Sequence, residues 1–373
     1  MRVHFAYAIP RRQYRPTRVF EKLRRLSEKV GGKLGIEPAY RKQGITPRAR
    51  PLRAPHSITF NFFHFLSQKV PTLLYDWSER VCPRVEADDI VIGHPHPDPQ
   101  TVIQRLFRDD VKCRLKALMF PIHHGIPAIN AYALPLMERA DPVLGIMGQY
   151  WYDTLDDSQF APWKSKIIRL DMAVDGDEYP LIKKSFNPPG RRGYLYIGAD
   201  RPEKGIDVLT KTMAALSDFP RGCIGRGEDI PGMKRLAREV RLTPEYVSRL
   251  THEYDFFVNT SVSDANPTTI LEAMAWGFPV ACTPQSGYYN MPSIITLSTA
   301  DIEANVRALR EFQMFQPYLK HLLICHHWRG DKMAALRPLV EGSPEWEIEA
   351  TVEPPHSIGL AIAVRKSAPA VRA

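Results

Sequence analysis

Two carboxylates eight positions apart, Asp264 and Glu272, stand in the stretch DANPTTILEAMAWGFPVACT (264–283). Asn266 suits a helix N-cap and Pro267 a first helical residue, while Gly277 and Pro279 end the helix. Asp264 then precedes the helix, and Glu272 lies about one and a half turns into it. A glutamate inside the apolar run LEAMAWG is costly to bury without hydrogen-bond donors. Two vicinal ribose hydroxyls are donors of the right kind. Upstream, in ADRPEKGIDVL (199–209), Arg201 and Lys204 stand just before a helix that starts near Gly205. A helix N-terminus favours anions, and two cations beside it make a seat for a pyrophosphate, the alternative being a solvated basic turn. A third loop, Gly225-Arg226-Gly227, is glycine-rich without matching G-x-G-x-x-G or a P-loop. Its backbone suits either close approach to a nucleobase or a plain tight turn.

These loops need strands to hold them. Short apolar runs rich in β-branched and aromatic residues recur at 3–9, 57–62, 89–94, 115–120, 142–147 and 166–171. They alternate with helical patterns such as 17–30 and 128–140, as a parallel α/β sheet requires. KKSFNPPGRRG (183–193) interrupts the alternation with prolines, glycines and basic residues and reads as a linker. The pattern then restarts at 193–198, 206–216, 221–225, 255–260, 279–283 and 293–297. The expected architecture is α/β, with two Rossmann-like, doubly wound parallel-sheet domains facing each other across a cleft. Ligands in such sheets sit at the carboxyl ends of the strands. The boundaries are 1–182 for a first domain, 183–193 for the linker and 194–316 for a second domain. C-terminal helices over 317–342 return to the first domain, and 343–373 form a surface tail, partly a strand.

Composition narrows the class. The chain of 373 residues is 44% apolar and 24% charged, which fits a soluble two-domain protein. Five scattered cysteines without a C-x-x-C pair read as reduced thiols, hence a cytoplasmic location. No run reaches the roughly 20 apolar residues of a membrane span. The net charge of +9 is concentrated at one end, for residues 1–56 hold fifteen basic and three acidic side chains. Such an end suits a polyanionic partner, and with the aromatic run FNFFHFL (60–66) an anionic membrane surface is one candidate. No base-reading module appears, so nucleic acid is not expected.

YLYIGADRPEKGIDVL (194–209) followed by DFFVNTSVSDANPTTILEAMAWGFPVACT (255–283) resembles the donor-binding half of retaining glycosyltransferases of the GT-B fold, chiefly family four (group 1). That family's pattern is a strand, a glycine and P-E-K-G-I-D, then E-x7-E and A-M-A-x-G-x-P-V. The resemblance implies transfer of a sugar from a nucleotide-diphospho-sugar (UDP-, GDP- or ADP-linked) to a carbohydrate or lipid-linked acceptor, with retention and without a metal or other cofactor. It implies that Glu272 holds the ribose, that Lys204 with Arg201 and Thr268 holds the diphosphate, and that Asp264, Ala265, Asn266 and Pro267 face the sugar. Gly225, Arg226 and Gly227 lie on the nucleobase side. His123 and His124, in ALMFPIHHGIP, stand where the family often carries a histidine reaching the donor sugar, so both are catalytic candidates with Asp264.

The chain departs from the family pattern at three places. Asp264 replaces a glutamate, Ala199 stands where an arginine usually follows the strand glycine, and the first loop, AIPRRQYRP, lacks a glycine pair. These leave two rivals: a nucleotide-sugar epimerase or hydrolase of the same fold, and a catalytically impaired binding or scaffold protein. Asp175-Gly176-Asp177 and Cys325-His326-His327 look like metal motifs, but each lacks the companion ligands a site needs, and no metal is expected.

Overall fold

The computed structural model describes residues 1–7, 63, 66–77, 79–80, 83–172, 174, 179–240, 242–289, 291 and 294–314, with three further strands at 322–325, 346–352 and 360–365. The expected strand 57–62, the helix 17–30, nearly all of the basic segment 1–56 and the triplet Asp175-Gly176-Asp177 lie outside the described residues. The chain forms two units. One is Met1–Met147 with Asp153–Leu170; the other is Gly148–Tyr152 with Asp171–Ala373.

The first unit holds a six-stranded, fully parallel sheet. Its strands are β1 (Val3–Tyr7), β2 (Thr72–Asp76), β3 (Ile90–Gly93), β4 (Leu115–Pro121), β5 (Val143–Ile146) and β6 (Ile167–Leu170), in the order β2-β1-β3-β4-β5-β6. That order reverses between β1 and β3, the position where such sheets open a crevice at their carboxyl ends. The helical pattern at 128–140 resolves into short pieces, Pro127–Asn130, a 3-10 turn and Leu134–Met137, because Pro135 removes a backbone donor within it.

The second unit repeats the architecture with β7 (Tyr194–Ile197), β8 (Arg221–Ile224), β9 (Lys234–Ala237), β10 (Phe256–Asn259), β11 (Val280–Cys282) and β12 (Ile294–Thr296). All six are parallel, in the order β12-β11-β10-β7-β8-β9, the Rossmann arrangement with its reversal between β7 and β10. Every residue of β7, β10 and β11 is buried. Alternate strand residues enter two separate cores. Leu195, Ile197 and Phe257 meet Val247, Leu250, Ile270 and Leu271 on one face. Tyr194, Tyr196, Phe256 and Val258 meet Leu209, Met213 and Leu309 on the other. Helices Pro244–Glu253 and Thr268–Ala275 therefore cover one face, and Ile206–Ala214 and Ile302–Met314 the other. The sheet is doubly wound, as the continuous apolar runs predict.

β13 (Leu322–Cys325), β14 (Trp346–Val352) and β15 (Leu360–Arg365) make a small antiparallel sheet. Helix was expected over 317–342, but its described part is strand, for a four-residue apolar run does not reveal its period. Among the described residues no helix is long and apolar enough to cross a membrane.

Residues 183–193, read as a linker, group with the second unit and are fastened to it. The Asp255 carboxylate accepts from the Asn187 N–H and side-chain amide and from the Gly193 N–H, at 2.9, 2.9 and 3.1 Å. It also pairs with Lys183 Nζ at 3.0 Å, with both side chains fully buried. Burial lowers the Lys183 pKa, and the facing Asp255 opposes that shift. Removing one partner of a buried pair strands the other charge, at a cost of about 3–5 kcal/mol. Asp255→Ala is therefore expected to lower unfolding free energy by that amount in urea titration, and a loss under about 1 kcal/mol would contradict the buried pair's role.

Candidate functional site

The loops at the carboxyl ends of β7 and β10 meet at the strand-order reversal. After β7 the chain runs through Gly198 and Ala199 into a 3-10 turn, Pro202–Lys204. Gly205 then turns it with φ +60°, where an added Cβ would lie 2.1 Å from the Thr260 carbonyl oxygen. Only glycine fits that approach. Across it, the Thr260 hydroxyl donates to the Gly205 carbonyl at 3.0 Å. The Val262 and Ser263 N–H groups both donate to the Glu203 carbonyl, at 3.0 and 3.2 Å.

This clamp brings Lys204 and Asp264 together as a direct ion pair, each side chain about one-fifth exposed. Arg201, grouped with Lys204 in the sequence reading, does not join them. Its side chain is 68% exposed and its nearest carboxylate is Glu203, at 3.7 Å. Ala265, Asn266 and Pro267 are buried beyond Asp264.

The helix opens at Thr268, with Pro267 as its cap residue, so Asn266 is not the N-cap. Its side-chain oxygen instead takes the Tyr288 hydroxyl, a long-range partner the local sequence does not reveal. The Ile270 N–H donates to the Pro267 carbonyl at 3.2 Å, and the N–H groups of Thr268 and Thr269 ahead of it stand at the positive end of the helix. At the other end, the Phe278 N–H donates to the Ala273 carbonyl and the Gly277 N–H to the Met274 carbonyl, with Gly277 at φ +92°. That double bond pattern is a Schellman motif.

Glu272 lies about one turn into the helix and is 5% exposed. The donor it needs is partly supplied by the protein, for the Tyr179 hydroxyl donates to Oε1 at 3.3 Å. Neither Tyr179 nor two further groups at this site drew notice in the sequence. The Ser261 hydroxyl and the Gln285 side-chain carbonyl are buried without a hydrogen-bond partner among the described residues. The polar run NTS (259–261) following an apolar strand was a signal for Ser261 alone.

The turn after β8 is braced: Arg235 Nη1 donates to the Gly225 carbonyl at 2.5 Å and Arg238 Nη1 to that of Gly227 at 3.1 Å. Gly225 approaches β7 so closely that a Cβ would sit 1.7 Å from the Gly198 oxygen. Arg226 is exposed and pairs with Glu239 at 2.5 Å.

In the first unit, His123 and His124 follow β4. The His123 carbonyl accepts from Asn130 Nδ2 at 2.9 Å, and His124 Nε2 lies 2.9 Å from the Thr154 hydroxyl. The reversal of that sheet lies elsewhere, at Tyr7 and His94, whose rings meet edge to face at 5.0 Å. Trp77 meets His94 and His96 at 4.6 and 5.2 Å. The pair of histidines in GHPHPD, directly after an apolar strand, was the signal for this cluster. Burial lowers the His94 pKa to about 4, against a smaller upward push from its bond to the Pro95 carbonyl. Among the described residues no group of three His, Cys, Asp or Glu side chains gathers to hold a metal ion.

Known proteins match this architecture. The N-terminal domain of Candida albicans trehalose-6-phosphate phosphatase superposes with a TM-score of 0.51, covering 84% of this chain and 89% of that one at 11% identity. The chain thus has the two-sheet α/β fold of the GT-B class. Residues 191–311 match the family model of Glycosyl transferases group 1. Digalactosyldiacylglycerol synthase 1 of Glycine max is 30% identical over 154 residues, 38% of this chain and 19% of that protein. The putative teichuronic acid biosynthesis glycosyltransferase of Bacillus subtilis is 28% identical over 137 residues, 35% of this chain and 34% of that protein. The chain therefore spans between about a fifth and a third of the length of these curated relatives.

The His94 shift has a measurable sign. An unfolded histidine titrates near about 6.5. Between about pH 6.5 and about pH 4 the unfolded chain takes up a proton that folded His94 does not. Its contribution is thus present above pH 6.5 and lost as pH falls through that window, by about 3 kcal/mol. Urea titrations across this range are expected to be flatter for His94→Asn than for wild type. Equal slopes would show that His94 is not held neutral.

Proposed function

We propose that this protein transfers a glycosyl group from a nucleotide-diphospho-sugar to an acceptor hydroxyl, with retention of anomeric configuration and without a metal. The observation that carries the reading is the Lys204–Asp264 pair, set at the reversal between β7 and β10 just ahead of the Thr268–Ala275 helix. A diphosphate entering there takes Lys204 over from Asp264 and meets the positive end of that helix. Both charges then oppose the negative charge that grows on the leaving diphosphate. The bond from the sugar's anomeric carbon to the phosphate oxygen breaks with its electron pair going to the diphosphate. The acceptor oxygen bonds to the same face, and its proton passes to the departing phosphate.

Released from Lys204, Asp264 is free to accept from a hydroxyl of the donor sugar. Glu272 accepts from the ribose hydroxyls alongside Tyr179, and Gly225, Arg226 and Gly227 line the base. Thr268 and Arg201 supplement the phosphate contacts, Arg201 by swinging from Glu203. On the acceptor side, His123 or His124 binds a sugar hydroxyl or orients the acceptor. Relatives named for synthesis of a galactosylated diacylglycerol and for teichuronic acid biosynthesis support a carbohydrate or lipid-linked acceptor. Residues 1–56 suit an anionic membrane surface in a cytoplasmic protein. The uridine, guanosine and adenosine donors all remain candidates.

One observation favours the scaffold reading instead. Lys204 and Glu272 each have a partner within the protein, so neither needs a ligand to justify its burial. Calorimetric titration of UDP, GDP and ADP without metal separates the two. One nucleotide is expected to bind wild type and to bind Glu272→Ala at least tenfold more weakly, about 1.4 kcal/mol. Absence of binding by all three would overturn the transferase reading in favour of the scaffold.

A further inference from the structure

Residues Gly148–Tyr152 come from the middle of the chain yet belong to the second unit, where they brace the loop that carries Asp264. The Gly148 N–H donates to the Ala265 carbonyl at 2.8 Å, and the Trp151 indole N–H donates to the Asp264 carbonyl at 2.6 Å. On the far side of that loop, the Asp264 N–H donates to the Gln285 carbonyl at 2.9 Å, and Gln285 Nε2 reaches the Tyr150 hydroxyl at 3.4 Å. Close approach fixes the arrangement. A Cβ on Gly148 would lie 2.2 Å from the Gly287 oxygen, and one on Gly287, at φ +89°, would lie 2.5 Å from the Ala265 oxygen. Trp151 is 1% exposed, so its N–H has no water to fall back on.

The geometry points to Trp151 as a positioning residue for the diphosphate seat: by holding the Asp264 carbonyl it fixes the backbone of the loop that leads into the positive end of the Thr268–Ala275 helix. The inference rests on the proposed donor site and adds to it a residue more than a hundred positions away in sequence. Trp151 touches no reacting atom. Its indole N–H acts on the 264–266 loop, so it bears on phosphate contacts and not on the ribose held by Glu272.

That separation supplies the test. Uridine, guanosine and adenosine di- and monophosphates are titrated into wild type and Trp151→Phe, which keeps an aromatic ring but no donor. Loss of one buried hydrogen bond corresponds to about a fivefold change. The variant is expected to lose about fivefold in diphosphate affinity with little change for the monophosphate, so the preference for diphosphate shrinks. General loosening of the unit would lower both affinities together and overturn the inference. So would an unchanged preference. If wild type binds no nucleotide at all, the donor reading fails and this inference with it.

A second measurement needs no variant. Hydrogen–deuterium exchange of wild type is followed at the Gly148 and Asp264 amides, both donors within the brace. Saturating diphosphate is expected to slow exchange there, and monophosphate to slow it less. Equal protection by the two ligands would overturn the role of the brace in holding the phosphate loop.

Discussion

A single carbonyl oxygen, that of Glu203, accepts the N–H groups of Val262 and Ser263. It joins two loops some sixty residues apart in sequence, and the geometry of the site depends on that joint. The loops are neighbours because β7 and β10 pair at the point where the strand order reverses. They touch because Gly205 has no side chain to keep the Thr260 carbonyl away. Given this joint, Lys204 and Asp264 are within reach of each other even though an aspartate is a methylene shorter than the glutamate of the family pattern. The result is a pair whose positive and negative groups neutralise each other. On the proposed reading an anion binding there would exchange partners with Lys204 and would not meet a bare cation, which would limit how strongly simple anions compete.

The same economy governs Glu272. Its helix is placed by the apolar face that Ile270, Leu271 and Met274 bury, and its far end is fixed by the Schellman turn at Gly277. The peptide after Gly277 returns to the sheet as β11, while the Trp276 carbonyl accepts the Ile182 and Lys183 N–H groups. The helix is thereby held at its carboxyl end by the segment that leads through Asp255 to the start of β7. Tyr179, just before that segment, puts its hydroxyl on Glu272. A packed core, a helix cap and a buried ion pair thus converge on one carboxylate.

Much of this was legible in the sequence because the signals are local. The apolar runs at 193–198, 255–260 and 279–283 became β7, β10 and β11, each a residue or so shorter at its ends. Gly205 and Gly277 announced their turns. What stayed hidden is what distant segments contribute. Asn266 has the composition of an N-cap, but Tyr288 claims its side chain. Arg201 has the charge for a phosphate, yet the turn leaves it facing solvent. Tyr179, Trp151 and Gln285 reach the site across the fold, with no spacing rule to reveal them. β9, KRLA, is a half-exposed edge strand without alternation, and β2, TLLYD, follows directly on a proline; neither run was read as a strand.

The central claim is that the Lys204–Asp264 pair is the place a nucleotide diphosphate occupies. It is tested most directly by a crystal structure of the protein with a bound nucleoside diphosphate. The account predicts Lys204 Nζ on phosphate oxygens, Asp264 released from it, and the ribose hydroxyls on Glu272. A nucleotide seated elsewhere, with the Lys204–Asp264 pair intact, would contradict it.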